Sequence, residues 1–534
     1  MDFICVKLIN GHLLPRDPDN PEDQPDKITQ NDIKADKQTG KPRRVLTIND
    51  FPYGYLILDD GETSIWEEDD KYFLPDSWFN SQHKALKNFY EHRLPVKLYF
   101  NQAGSYSWTP GDRYPLQGWY IPAYLLFDPT SGVIFDLKTS ENTKLSRLGN
   151  EGRSSATTIL GASILKTLQE AGTQAEIQKF LSFSDNRQDA SLQAGHFNDF
   201  FTQARLRSAI YQVVRRHPDG IDASQINMEV FRELNLPLSE YARNNETTSV
   251  WGGNEKANKA LQKYLMIRIL YDLKLGWRYT TPNLEQTALL KIEYHRLKEF
   301  CANEHFFTTS EWLLNYTKEE REDILIQVLN YFRTSFAFDH IYLVEKREEV
   351  EEEIRQTLNE KKHWSLNFDE KIEAPNLLFV QPSKNLRTRE FLVSIGPRSY
   401  LGKYLKRKII QKEGIRLSEE YLLSVIEGLC ATLVSGEFLK EITFRTNRQE
   451  YTGYRIRIDN LLWKPGDGQT IIQDKVRFVK YKETHTTPNP FFREFYKQDF
   501  KVAQKLIEGK EHTGQLSNPD RMEREEEFRK GTLS

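Results

Sequence analysis

The stretch Ser184-Asp185-Asn186-Arg187-Gln188-Asp189-Ala190-Ser191-Leu192-Gln193-Ala194-Gly195-His196 follows an apolar run, Phe180-Leu181-Ser182-Phe183, and reads as a polar turn opening a helix. A helix start leaves backbone N–H groups unpaired and carries partial positive charge, so Ser, Asn, Arg and Gln donors beside it suit a phosphate oxygen. The place also fits, because open α/β sheets bind ligands at the carboxyl ends of their strands. The same residues equally serve a structural end, with Asp185 or Ser184 capping the helix and Arg187 in solvent.

Other reactive patterns are weaker. ATP hydrolysis needs a glycine-rich loop with a lysine on the phosphates and an acidic strand end on Mg²⁺. The nearest loop, Thr39-Gly40-Lys41-Pro42, has proline where Ser or Thr should hold the ion, and Ala35 where the first glycine belongs. Tyr55-Leu56-Ile57-Leu58-Asp59-Asp60 has the form of an acidic strand end, but no phosphate loop precedes it, so it reads as a strand running into a turn. No His-Glu-x-x-His, Gly-x-Ser-x-Gly or cysteine pair occurs, and Cys5, Cys301 and Cys430 are too scattered for a zinc knuckle or a disulfide framework.

The elements that must position these groups belong to a soluble, multidomain chain. At 534 residues, roughly three domains of ~100 to 200 residues are expected. An aromatic share of 12% argues for folded cores, and a net charge of -3 leaves any polyanion contact to local basic patches. The opening Met1-Asp2-Phe3-Ile4-Cys5-Val6 lacks the form of a signal peptide and no apolar run approaches ~20 residues, so no membrane contact and a cytoplasmic location are expected.

Periodicity divides the chain into an α/β and α+β arrangement. Residues 1–145 form a β-rich module, with strands at Tyr55–Leu58, Val96–Phe100, Tyr124–Phe127 and Val133–Phe135, and a polar, proline-rich loop at 14–44. Residues 146–218 give a helix from Thr158 to Ala171, a buried strand at Phe180–Phe183 and a second helix from about Asp189. Residues 219–385 are helical, with Val350, Ile354 and Leu358 on one face of an acidic helix and its glutamates in solvent. In 386–480, helices at Leu401–Ile410 and Ser418–Val434 and strands near Tyr454–Ile458 and Thr470–Ile472 follow winged-helix order. Arg398, Lys403, Lys406, Arg407 and Lys408 near its first helix, and Arg445, Arg448, Arg455 and Arg457 near the wing, could grip a duplex backbone or simply lie in solvent. Residues 481–534 are helical and highly charged.

Phe180-Leu181-Ser182-Phe183-Ser184-Asp185-Asn186-Arg187-Gln188-Asp189-Ala190 resembles motif IV of large bacterial superfamily 2 helicases of the DEAD/DEAH type. Glu511-His512-Thr513-Gly514-Gln515-Leu516, followed by Arg521, Glu525, Phe528 and Gly531, is similar to a later helicase segment in which a strand ends in His-x-Gly before a helix. Leu74-Pro75-Asp76-Ser77-Trp78 and Gly152-Arg153-Ser154-Ser155-Ala156-Thr157 look like segments that precede motif IV. Ser155-Ala156-Thr157 copies the Ser-Ala-Thr motif but lies too close to motif IV for that role.

The resemblance is strong over 50–200 and 505–534. It implies a partial second RecA-like lobe with a helical, winged-helix-bearing insertion. Its nucleic-acid contacts would fall on Ser184, Asp185, Asn186, Arg187, Gln188, Gln193 and His196, and on His512, Thr513 and Gln515, with Arg398, Lys403 and Arg407 adding grip from the insertion. It implies DNA or RNA as partner, and an ATPase lobe from another chain to supply the ATP and Mg²⁺ site, since the first RecA-like lobe and motifs V and VI are missing. A bacterial genome or phage defence role, and a tendency to aggregate or to need a partner, follow from the same likeness. The second reading is a regulatory or inactive piece whose exposed lobe edge binds a protein.

Overall fold

The structure, a computed structural model, describes residues 3–17, 23, 47–59, 66, 74, 78, 86–129, 151–183, 187–243, 253–274, 281–380, 392–397, 399–414, 417–446, 449–477, 487–500, 509–512 and 517–530. It is mixed α/β and divides into two compact units. The first comprises residues 1–147, 395–422 and 474–484, and the second 148–394, 423–473 and 485–534. No described helix is long and apolar enough to cross a membrane.

In the first unit, β1 (Ile4–Ile9), β2 (His12–Pro15), β3 (Tyr53–Asp59), β4 (Val96–Phe100), β5 (Tyr106–Ser107) and β6 (Leu116–Pro122) form one antiparallel sheet in the order β2-β1-β3-β6-β4-β5. Asn10 and Gly11, both at positive φ, make the tight turn between β1 and β2, the backbone conformation two-residue hairpins require. The ends of the sheet meet: Leu13 N–H donates to the Gly104 carbonyl at 2.7 Å and Tyr106 N–H to that of Gly11 at 3.2 Å. The sheet therefore curls into a near-barrel with few free edge groups. Strand alternation sends Leu56 into a cluster with Val6, Leu98 and Tyr120, and Tyr55 and Ile57 into another with Ile121.

Strands expected at Tyr55–Leu58 and Val96–Phe100 lie in β3 and β4. The one expected at Tyr124–Phe127 does not form: β6 ends at Pro122, with one further bond from Ala123 N–H to the Tyr53 carbonyl at 2.9 Å, and Leu126 and Phe127 pack against Trp66 and Trp78 instead. Val133–Phe135 lies outside the described residues, as does most of the 14–44 loop. Asp59 is a structural strand end, accepting from Trp119 Nε1 at 3.1 Å and pairing with Lys97 at 3.5 Å.

The second unit contains α1 (Glu151–Glu170), α2 (Arg187–Arg216), α3 (Ile226–Leu234), α4 (Gly253–Asp272), α5 (Lys318–Thr334), α6 (Arg347–Thr357), most of α7 (Glu419–Ser435), α8 (Pro490–Tyr496) and α9 (Asn518–Arg529). One sheet sets β14 (Leu461–Pro465) between β7 (Ile221–Asp222) and β8 (Leu290–Tyr294). Another runs β11 (Leu392–Ser394), β10 (Leu377–Phe379), β13 (Gln449–Arg457), β12 (Leu439–Thr446), with β9 (Phe338–Asp339) parallel to β13. After α7, the strand expected near Tyr454–Ile458 falls in β13, but its hairpin partner is β12 rather than Thr470–Ile472, which is not a strand. Helix boundaries follow local chemistry: Thr317 and Glu320 form a reciprocal capping box at the start of α5. Val350, Ile354 and Leu358 are fully buried, as the spacing on the acidic helix predicts.

Arg207 on α2 ties the unit together. Its guanidinium reaches Asp272 on α4 at 2.8 Å, Thr281 Oγ1 and the Pro282 carbonyl at 3.0 Å, and the Tyr496 hydroxyl on α8 at 2.8 Å. Burial pulls its pKa down, but Asp272 and Tyr496 beside it outweigh that and hold it above the usual arginine value.

The run Phe180–Phe183 departs from expectation. It is neither strand nor buried: Leu181 is 59% exposed and Phe183 89%. A strand needs a neighbour to satisfy its backbone, and no described residue hydrogen-bonds to the backbone of these four.

Candidate functional site

Three of the candidate residues, Gln193, His196 and His512, lie near one another in the second unit, where α1 packs along α2. Thr158 of α1 is fully buried, and two expected contact residues of α2 turn inward to it. Gln193 Nε2 donates to Thr158 Oγ1 at 3.0 Å, and His196 Nδ1 lies 3.0 Å from the same oxygen. Gly161, one turn on, leaves room for Phe180 and Phe197, whose rings would stand 3.3 and 3.4 Å from a Cβ there. His196, half-buried, bridges the two helices through its Nδ1.

The segment 509–512 reaches this helix pair from the far end of the sequence. Asn198 on α2 holds Gly509 by both backbone groups, its Nδ2 donating to the carbonyl at 2.8 Å and its Oδ1 accepting from the N–H at 2.7 Å. The absence of a side chain at Gly509 matters, since a Cβ would approach the Phe197 ring at 3.1 Å. Asn198→Ala leaves two backbone groups without their partner, so a loss of about 1–3 kcal/mol is expected. Amide exchange should speed up at 509–512 while α4 amides keep their protection; unchanged exchange at 509–512 would contradict the clamp.

Helix α9 closes the far wall. Ser517 caps its start by accepting from Asp520 N–H at 3.3 Å. Lys179 Nζ donates to the carbonyls of Phe528 and Arg529 at 2.7 and 3.3 Å, placing a cation at the helix end where the dipole is negative. Arg524 donates to the Glu511 carbonyl, Lys510 pairs with Glu527 at 2.9 Å, and His512 Nε2 meets Glu525 Oε1 at 3.0 Å.

Between these walls lies a cleft of about 450 Å³, lined by Phe180–Phe183, by Gln193 and Phe197 of α2, by Gly509–His512, and by Arg524, Glu525 and Phe528 of α9. Its floor is apolar and its charges balance: Lys510 and Arg524 stand against Glu511 and Glu525. A wall without excess positive charge gives a phosphate backbone little counterion-release energy.

The structure thus brings Gln193 and His512 to one cleft, with His196 behind it. Ser184, Asp185, Asn186, Thr513, Gln515 and Arg398 lie outside the described residues, and of Arg187 and Gln188 only the helical backbone is described. In the first unit, Lys403 is buried at 7% exposure, contrary to the expected duplex grip, because Gly402 seats its helix (Tyr400–Glu413) against Gly396 and Pro397. Arg407 donates to the Lys475 carbonyl at 3.4 Å. Arg455 is likewise buried, with its guanidinium on the carbonyls of Pro375 and Asn376.

Thr158, Lys179, Asn198 and Arg524 were not singled out by sequence, since each acts through a partner remote in the chain. Glu525 and Phe528 carried a signal: their i, i+3 spacing within the Arg-x-x-x-Glu-x-x-Phe pattern puts both on the cleft face of α9. Neither a protein-family model, nor a curated protein, nor a solved structure matches the chain.

Proposed function

We propose that the second unit carries the nucleic-acid-binding surface of a superfamily 2-type DNA or RNA helicase, working with an ATPase lobe that brings ATP and Mg²⁺. The observation that supports this reading is the shared cleft: the helicase-like segment leading into α2 and the His512 segment adjoin one another although Asn198 and Gly509 are 311 residues apart. Such a surface tracks the sugar-phosphate backbone from a helix start, without reading bases.

The test is binding of labelled single-stranded DNA, duplex DNA and single-stranded RNA across a salt series, with an Arg187→Ala/Gln188→Ala double variant. Affinity should fall steeply with salt, and the variant should bind roughly tenfold more weakly with a salt slope shallower by about one. A folded chain that binds none of the three at low salt would sink the reading.

A second reading, a protein-interaction module in a helicase-derived or regulatory setting, is favoured by one observation: the apolar side chains of Leu181 and Phe183 stand in solvent at the cleft rim.

A further inference from the structure

Four phenylalanines line the cleft of the second unit: Phe180, Phe183, Phe197 and Phe528. Three are held by the protein itself, Phe180 and Phe197 against Gly161, and Phe528 with Lys179 Nζ 4.8 Å from its ring centre. Phe183, 89% exposed, has its ring to offer. At about 450 Å³ the cleft falls within the ~300–1,000 Å³ of small-ligand pockets and shares their character, mostly apolar with a few polar groups. Its cations are engaged within the protein: Lys510 pairs with Glu527 and Arg524 donates to the Glu511 carbonyl. A phosphate therefore gains little inside it, whereas a flat, uncharged ring can lie on an aromatic face without losing a charge's hydration. A strand whose backbone meets the start of α2 at Arg187 brings an adjoining base to this rim, since Phe183 precedes Arg187 by four residues.

We propose that the cleft takes one unstacked nucleobase of a single strand, stacked on Phe183, while the strand's phosphates stay outside. Every base has a π face, so the contact tolerates any sequence. It requires a base that is out of the duplex, because a paired base is already stacked between its neighbours. Charge and ring are thus held in different places, and the cleft adds an affinity that salt does not screen and that favours single strands over double. The inference rests on the nucleic-acid reading of the second unit and narrows it to single strands with an accessible base.

The experiment is fluorescence anisotropy of the full chain with three labelled probes: an oligothymidylate of ~12 nucleotides, a stable abasic sugar-phosphate strand of equal length, and a blunt duplex. Wild type should bind the intact strand about 5- to 150-fold more tightly than the abasic one, the range given by one base–aromatic stack. Both strands should show the same salt slope, since they carry the same phosphates. Phe183→Ala, at an exposed position, should leave the far-UV spectrum and the abasic and duplex affinities unchanged and weaken the intact strand to the abasic level. Phe183→Trp should keep the preference. If intact and abasic strands bind alike, or Phe183→Ala weakens both equally, the base site is overturned while salt-dependent binding keeps the wider reading standing. Binding to none of the probes at low salt sinks both.

Discussion

Arg207→Ala is expected to destabilise the second unit by about 3–5 kcal/mol, the range seen when one partner of a buried ion pair is removed. The loss has two sources. Asp272, 5% exposed at its side chain, keeps a charge with no cation beside it, and the tie from α2 to Thr281, Pro282 and Tyr496 disappears. The chain has two compact units, so one melting temperature would mix them, and amide exchange of α2 and α4 is the sharper readout. An Arg207→Ala/Asp272→Ala double variant should recover part of the loss, since no unpaired charge then remains. If the single variant exchanges α2 and α4 amides as wild type does, the hub is incidental.

Trp463→Ala should cost a similar ~3–5 kcal/mol, here through an unfilled cavity rather than a stranded charge. Trp463 is fully buried on the central strand β14, with Ile221 of β7 and Ile292 of β8 opposite it in register. Exchange of β8 amides should quicken by roughly 150- to 5,000-fold, the equivalent of that energy. Trp463→Phe, which keeps most of the ring volume, should lose far less. Equal losses for both substitutions would mean that shape, not volume, sets the cost.

What the sequence discloses follows from how local each determinant is. The acidic helix was legible because Val350, Ile354 and Leu358 carry its burial in their own spacing. Strand β6 was not, because Gly118 interrupts its apolar pattern; glycine is there since a Cβ would lie 2.7 Å from the Ile57 carbonyl, a fact of β3 rather than of β6. Phe180–Phe183 has the composition of a buried strand, yet burial is granted by neighbours, and no described strand pairs with it. Lys403 looked like an exposed cation because lysine usually is one. Of the cleft, the pattern around α9 was readable, while the Asn198–Gly509 clamp could not be, since an asparagine on a helix announces nothing about a glycine so far along the chain.

The Arg207 hub also has a consequence for synthesis on the ribosome. The strands of the near-barrel all lie within residues 4–122, so that sheet can assemble early in translation. Arg207 must wait for Tyr496, 289 residues later, which at ~5–20 residues per second is roughly 15 to 60 seconds. During that interval the nascent chain carries half-made helices whose polar linchpin lacks its last ligand. Translation speed and chaperone supply, rather than sequence alone, would then set the yield of correctly folded second units.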